Sequence, residues 1–508
     1  MFVKVNTAGL YGMEGQPVTV EADVSQGMPA FEIVGLPDTA VKEAKERVRA
    51  AIKNCGYSFP ARRFTINLAP ASLRKAGPAF DLPIAVALLF ATEQINGVPP
   101  SDTAFIGEVS LAGDLRPVSG ILPLVMGLAS HGIKQVIVPY ENAREGALVE
   151  NVSVFGAKTL YDVMQHLKGE ARLPRAAENA RQLLEEGRDG MPDFAEVKGQ
   201  ENAKRALEIA AAGGHNCLLV GPPGAGKTML AQRLPSILPP MTPEEALAVT
   251  RIHSVAGLLN ENTPLVTVRP FRAPHHSAST VGLTGGGQSV RPGEISLAHG
   301  GVLFLDELPE FRRDAMEILR QPLEDGQVTI TRAAATYTYP SAFMLVAAMN
   351  PCRCGYYGDP THRCRCSESS VRQYAGKISG PLLDRIDLKV HALPVSYKAL
   401  QGGQAEPSAV IRARVIAARE RQKRRTGREI HYENAKLAAA ELEKYCILTK
   451  EAERMLRDAF TSMQLSMRAY SRIVKVARTI ADLADAEKIE SMHIAEAVRY
   501  HMESDRLS

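Results

Sequence analysis

The chain has 508 residues, 45% of them hydrophobic and 23% charged, the balance of a globular protein with length for about three domains. Lys and Arg number 60 against 56 Asp and Glu, a formal charge of +4. This average argues for no particular partner, and any nucleic-acid contact has to come from local patches.

The opening MFVKVNTAGLYGMEGQ has no basic segment running into an apolar core, so it does not read as a secretory leader. β-like runs at 1–5 and 18–24 are followed by a charged helical pattern at 38–54 and a strand-like ARRFTINLAP at 61–70. Next come an apolar helix at 81–92 and a strand ending at Val138. This alternation predicts an α/β unit over 1–169. Its most apolar run, 82–91, is too short to span a bilayer. The expectation is a cytoplasmic protein without a membrane partner. Residues 170–191 turn polar and charged and read as a linker, partly helical. From 192 to 393, apolar strands at 217–220, 301–305 and 343–348 alternate with helical segments, predicting a parallel sheet with crossover helices. Residues 394–508 carry almost no strand signal and read as a helical bundle.

Within the middle block, Gly221, Pro222, Pro223, Gly224, Ala225, Gly226, Lys227 and Thr228 match G-x-x-x-x-G-K-[ST]. An apolar run precedes them and a short helical pattern, 229–234, follows ahead of Pro235. This strand–loop–helix context is what a phosphate-binding loop requires. The loop's N–H groups wrap a phosphate chain at a helix N-terminus. Lys227 is expected to reach the β- and γ-phosphates of ATP, and the Thr228 hydroxyl to bind Mg²⁺. GVLFLDE at 301–307 is an apolar strand ending in two acids. Asp306 suits a Mg²⁺-linked water and Glu307 a base that polarises the attacking water. Asn350, at the tip of a further strand, is expected to orient that water. Arg385, in SGPLLDRIDLKV, is a candidate arginine finger toward a neighbour's γ-phosphate, with an intrachain salt bridge as the alternative. Arg468 starts a helix in the third block and is the candidate to reach a phosphate from the lid, with Arg472 competing.

Cys352, Cys354, Cys364 and Cys366 form CxC–x9–CxC. Four thiolates suit a closed structural Zn²⁺ site, with His362 as a possible substitute ligand and four free thiols in a loop as the alternative. From 411 to 428 the chain holds eight basic residues against Glu420 alone. Arg412, Arg419, Lys423 and Arg424 are therefore candidate phosphate contacts, weighed against a solvated helix face. His275 and His276 read as structural.

Phosphate loop, Asp-Glu strand, strand-end Asn, LLDR arginine and lid arginine, in this order, resemble the AAA+ ATPases. The stretches FRAPHHSAS at 271–279 and GEISLAHGGVLFLDELPEF at 293–311 resemble the magnesium-chelatase-like branch, and the whole chain resembles its ComM/YifB group. The resemblance implies an AAA+ P-loop core with a C-terminal helical lid, working as a homo-oligomer, a hexameric ring. It implies branch migration of DNA, branched or single-stranded, in homologous recombination during natural transformation. It also implies an insertion over 250–294 and a hairpin at 328–339, both aimed at the ring pore, with Arg332 as a DNA contact. The first block is similar to the Lon-protease-like α/β domain, but Gly77-Pro78-Ala79 stands where a nucleophilic Ser is expected and the lysine position falls near Leu122. Without nucleophile and amine there is no covalent chemistry, so a pseudo-protease is expected; Ser72 and Lys75 are a poor substitute pair. Two other functions compete with a DNA motor: a chelatase-type remodelling ATPase acting on a protein or metal-delivery client, and a scaffold in which ATP only switches assembly.

Overall fold

The computed structural model describes residues 1–187, 190–287, 290–332, 335–359, 362–395, 405–430 and 432–502. Strands Phe2–Tyr11 and Glu14–Ser25 pair antiparallel from Phe2↔Asp23 to Tyr11↔Glu14. They centre an eight-stranded sheet in the order Arg175–Ala176, Ser153–Ala157, Gln135–Pro139, Thr103–Phe105, Phe2–Tyr11, Glu14–Ser25, Arg63–Ala69 and Ala30–Val34. The expected charged helix is Thr39–Asn54. Asp38 caps it by accepting from the Val41 N–H, and Val41, Ala44, Val48, Ala51 and Ile52 line its buried face. Helix Asp81–Ala91 is buried on every side, which is why its pattern is uniformly apolar.

Residues 170–191 are not a loose tether. Arg175–Ala176 pairs antiparallel with Ser153–Ala157 as an edge strand. Helix Ala180–Glu186 buries Leu184 against Leu122, Leu148, Met241 and Val249. Two short apolar anchors in a polar stretch give no periodic signal, so composition alone reads as linker.

The second sheet is parallel throughout, in the order Phe271–Arg272, Val302–Leu305, Met344–Met349, Cys217–Val220 and Leu388–His391. Cys217–Val220 is fully buried, as a strand covered on both faces must be. The helix after the phosphate loop, Lys227–Ile237, runs through Pro235 and does not stop before it. Pro235 lies in the last turn, so the bond its missing N–H forfeits, to the carbonyl four residues back, falls near the helix end.

Helices Ser408–Thr426, Lys450–Ser462, Met467–Leu483 and Ser491–Met502 form the C-terminal bundle. Ile411, Ile473 and Ile480 share one core with Leu207, Leu219 and Leu230, so bundle and sheet are packed as one body. The N-terminal unit is docked as well. Met13 packs with Ile252, Leu297 and Tyr339, and Arg251 donates to its carbonyl at 3.1 Å. Glu145, buried in this seam, accepts from the Leu122 N–H at 2.8 Å and from the Ser254 hydroxyl; burial raises its pKa. No helix among the described residues is long and apolar enough to cross a membrane.

Candidate active site

The phosphate loop leaves the Val220 end of its strand. A methyl group at Gly221 would come within 2.2 Å of the Ala392 carbonyl, so the first position admits only glycine. Gly226, at φ +82, turns the chain into the helix that starts with Lys227. The Lys227 ammonium donates to the Gly221 and Pro222 carbonyls at 2.7 and 3.0 Å and to Asn350 Oδ1 at 3.0 Å. Burial lowers its pKa, while Asp306 and Glu307 pull the other way. The Thr228 hydroxyl donates to Asp306 Oδ2 at 2.6 Å. Loop, acidic strand end and strand-end amide therefore share one cleft. Thr228 and Asp306 are placed to hold Mg²⁺ between them, since a hydroxyl and a carboxylate are oxygen ligands of the kind it prefers.

One contributor was missed in the sequence. Gln200, at φ +62 before helix Glu201–Gly213, donates to the Ala225 and Leu393 carbonyls at 2.8 and 2.5 Å. It ties the phosphate loop to the strand edge. The available signal was Gly199-Gln200 opening a helix, too short to stand out.

The arginines lie elsewhere. Sheet register runs from Cys217↔Leu388 to Val220↔His391, so about 10 Å of strand at 3.3 Å per residue separates the two ends. The phosphate loop leaves one end. Arg385 sits just before the other, where its carbonyl accepts from Asn216 at 2.8 Å. Its guanidinium donates to Pro381 O and pairs with Glu324. Arg468, 75% exposed, lies 3.9 Å from Asp384. Arg472 is only 12% exposed and bonds the carbonyls of Leu383 and Ile386, a structural clasp. Arg468 thus lies beside Asp384, the residue before Arg385.

The four clustered cysteines converge. Cys352 Sγ lies 3.3 Å from Cys354 and 3.8 Å from Cys364, Cys354 lies 3.6 Å from Cys364, and all four sulfurs fall within 4.8 Å of one another. A tetrahedron with Zn–S near 2.3 Å has edges of about 3.8 Å, so the donor set fits zinc. Backbone N–H groups of Arg365 and Tyr356 hold the Cys354 thiol down at about 6. Arg353, Arg363 and Arg365 are exposed around the cluster. The knuckle abuts the phosphate loop: a methyl at Gly355 would come within 2.5 Å of Pro223.

The basic helix Ser408–Thr426 corrects another expectation. Arg419 is buried, donates to the Ala211 carbonyl and pairs with Glu433 at 2.7 Å, so it is closed to phosphate. Arg412 donates to Ser236 O at 3.1 Å and Lys423 pairs with Glu429 at 2.5 Å. Arg414 is held by Glu208 and Glu406, and Arg421 by Asp485. Arg424 remains exposed. Most of the local charge is thus neutralised within the chain. Arg332 is exposed at the turn of the hairpin Gln327–Thr331/Thr336–Pro340. Its guanidinium would lie 3.3 Å from a methyl built on Gly286, so hairpin and glycine-rich insertion touch. Residues 288–289 and 333–334 of these arms lie outside the described residues. In the N-terminal unit, Lys75 is buried with its ammonium on the Pro70 carbonyl, and Ser72 is exposed.

A phosphate loop and acidic strand end on a parallel sheet, followed by a packed helical bundle, define a P-loop ATPase of the AAA+ class. Comparison agrees. The magnesium chelatase subunit ChlI family matches residues 193–400, its further ChlI segment 20–142 and its C-terminal segment 405–501. The protein YifB of Salmonella typhimurium is 46% identical over 500 residues, 98% of this chain and 96% of that one. Competence protein ComM of Haemophilus influenzae is 45% identical over 96% of this chain and 95% of its own. The magnesium-chelatase 67 kDa subunit of Chlorobaculum tepidum is 29% identical over 41% of this chain and 27% of its own. The chain belongs to the ComM/YifB group of magnesium-chelatase-like AAA+ ATPases.

Proposed function

We propose that the chain is an ATP-driven DNA motor, a hexameric ring that moves branched or single-stranded DNA and promotes branch migration while incoming DNA is recombined. The observation that carries this reading is the division of charged groups between the two ends of one sheet. Lys227, Thr228, Asp306, Glu307 and Asn350 bind and activate at one end; Arg385 and Arg468 at the other serve the next subunit's γ-phosphate. A site completed across a boundary fires only in an assembly, which is what a ring motor needs. Thr228 and Asp306 would hold Mg²⁺, which would supply charge neutralisation to the bound triphosphate. Lys227 binds those phosphates, Asn350 orients the attacking water and Glu307 takes its proton.

Support for DNA comes from the competence name of the Haemophilus relative and from the two touching arms with exposed Arg332. The helix 408–426 lends little, because its cations are mostly paired. The ATPase rate is to be measured with forked or four-way DNA across a salt series. Stimulation should fall steeply as salt rises. Arg332→Ala should lose most of that stimulation while keeping the DNA-free rate. Absence of both stimulation and salt-sensitive binding favours the chelatase-type remodelling reading, for which the Chlorobaculum match speaks.

A structural zinc at Cys352, Cys354, Cys364 and Cys366 belongs to the same reading, because it would brace the segment between Asn350 and Arg385, whose Gly355 packs on Pro223 of the phosphate loop. Metal analysis should give about one zinc per chain. Cys354→Ser should release it and raise the KM for ATP several-fold, on the order seen when a metal's surroundings are disturbed. A metal-free protein with an unchanged KM would remove the brace. The N-terminal unit is read as non-hydrolytic, with Ala79 in the nucleophile's place.

A further inference from the structure

A two-stranded ribbon is marginal in water unless something covers its apolar face. The hairpin Gln327–Thr331/Thr336–Pro340 is such a ribbon, and its side chains divide cleanly. Register pairs Val328 with Tyr339 and Ile330 with Tyr337, so these four share one face, while Thr329, Thr331, Thr336 and Thr338 are exposed on the other. The pair nearer the base belongs to the ATPase unit. Val328 packs in its core with Ile295 and Phe311, and the Tyr339 hydroxyl donates to the Val290 carbonyl at 2.8 Å. The pair nearer the tip is covered from the N-terminal unit. Tyr337 meets Tyr11 with ring centroids 5.3 Å apart, and a methyl built on Gly12 would lie 3.2 Å from the Tyr337 ring. Met13, 8% exposed, packs with Ile252, Leu297 and Tyr339. Gly12 and Met13 are the whole turn between strands Phe2–Tyr11 and Glu14–Ser25, with Tyr11 paired to Glu14. Gly12 stands at φ +61, a conformation glycine adopts without strain.

We infer that Tyr11 and Met13 are positioning residues for this hairpin, so that the N-terminal unit sets the pose in which Arg332 meets DNA. Arg332 directly follows Thr331, one pair beyond Ile330 and Tyr337. A cation at the tip of a ribbon is only as well placed as the ribbon's apolar face is held. The ATPase core grips the base of that face, and the turn grips the part nearer the tip. This task needs no hydrolytic chemistry from the N-terminal unit, in keeping with Ala79 in the nucleophile's place. The turn is itself tied to the motor, because Arg251, which donates to the Met13 carbonyl, belongs to helix Pro243–Ala256. The inference rests on Arg332 being a DNA contact.

Three substitutions separate positioning from packing. Met13→Asp puts a charge into the apolar pocket and should open it. Met13→Leu keeps the volume and should not. Tyr11→Ala removes the ring on Tyr337 from an exposed position, where the fold of the N-terminal unit does not depend on it. In hydrogen exchange on the full chain, the amides of residues 327–331 and 336–339 should exchange about tenfold faster or more in Met13→Asp and Tyr11→Ala, and at the wild-type rate in Met13→Leu. Strand Cys217–Val220 should stay protected in all three. In steady-state ATPase assays with four-way DNA, the two opening variants should lose most of the stimulation and keep the DNA-free rate, while Met13→Leu keeps both. Unchanged exchange in both opening variants overturns the inference. Full stimulation in a variant whose hairpin has loosened also overturns it, and makes the turn a packing contact. Wild type run alongside keeps two failures apart. A wild type that DNA does not stimulate ends the DNA reading and the positioning role with it. A stimulated wild type beside an equally stimulated Met13→Asp removes the positioning role alone.

Discussion

Glu307→Gln is expected to bind ATP as tightly as wild type and to hydrolyse it about 10²–10⁴-fold more slowly, the usual contribution of a general base. The substitution keeps shape and hydrogen bonding but removes the basic oxygen. It leaves untouched the Thr228–Asp306 contact at 2.6 Å and the Lys227–Asn350 contact at 3.0 Å, which belong to binding. Lys227→Ala should fail earlier. Its ammonium is buried and bonded to two loop carbonyls, so its loss removes both the phosphate charge partner and a brace of the loop. Fluorescent-nucleotide titration should show no binding at concentrations that saturate the glutamine variant. Normal turnover in Glu307→Gln would end its role as base; normal binding in Lys227→Ala would take the loop out of the site.

These residues were legible in the sequence because backbone geometry dictates them locally. Gly221 cannot carry a side chain beside Ala392, and Gly226 must reach φ +82; such demands leave fixed spacings in a short window. Asp306 and Asn350 were readable as the ends of four- and six-residue buried strands. Arg419 was not, because its fate depends on Ala211 and Glu433, one of them more than two hundred residues away. A charge run looks identical whether it faces solvent or spends itself on distant carboxylates. The contact of His276 was hidden for the same reason. Nothing in FRAPHHSAS says that one ring meets Glu307; only the pairing of Phe271 with Val302 brings them together. The fold class was readable because strand–helix alternation repeats over tens of residues, whereas the two-residue strand Arg175–Ala176 was too short to mark itself within a polar stretch.

The second large effect concerns Arg385 and Arg468. Arg385→Ala should lower kcat about 10³-fold or more, the scale of an arginine finger, with little change in nucleotide affinity. Affinity alone does not separate a residue acting on its own chain's nucleotide from one acting on a neighbour's; mixing does. Subunits carrying Lys227→Ala keep both arginines but cannot hold ATP. Subunits carrying Arg385→Ala and Arg468→Ala hold ATP but offer no arginines. Each preparation alone should be nearly inactive. Combined under conditions that allow subunits to exchange, they form boundaries at which an intact phosphate loop faces intact arginines, and hydrolysis should return to a sizeable fraction of wild type. Arginines acting within their own chain give no rescue, because no subunit in the mixture has both halves. The sheet makes the cross-boundary outcome the expected one: Arg385 precedes the Leu388 end, while the loop leaves the Val220 end beside His391. Arg385 must also give up Glu324 to reach a phosphate. A triphosphate with its several negative charges outcompetes one half-exposed carboxylate for the guanidinium, since it offers more charge and paired oxygens of matching geometry.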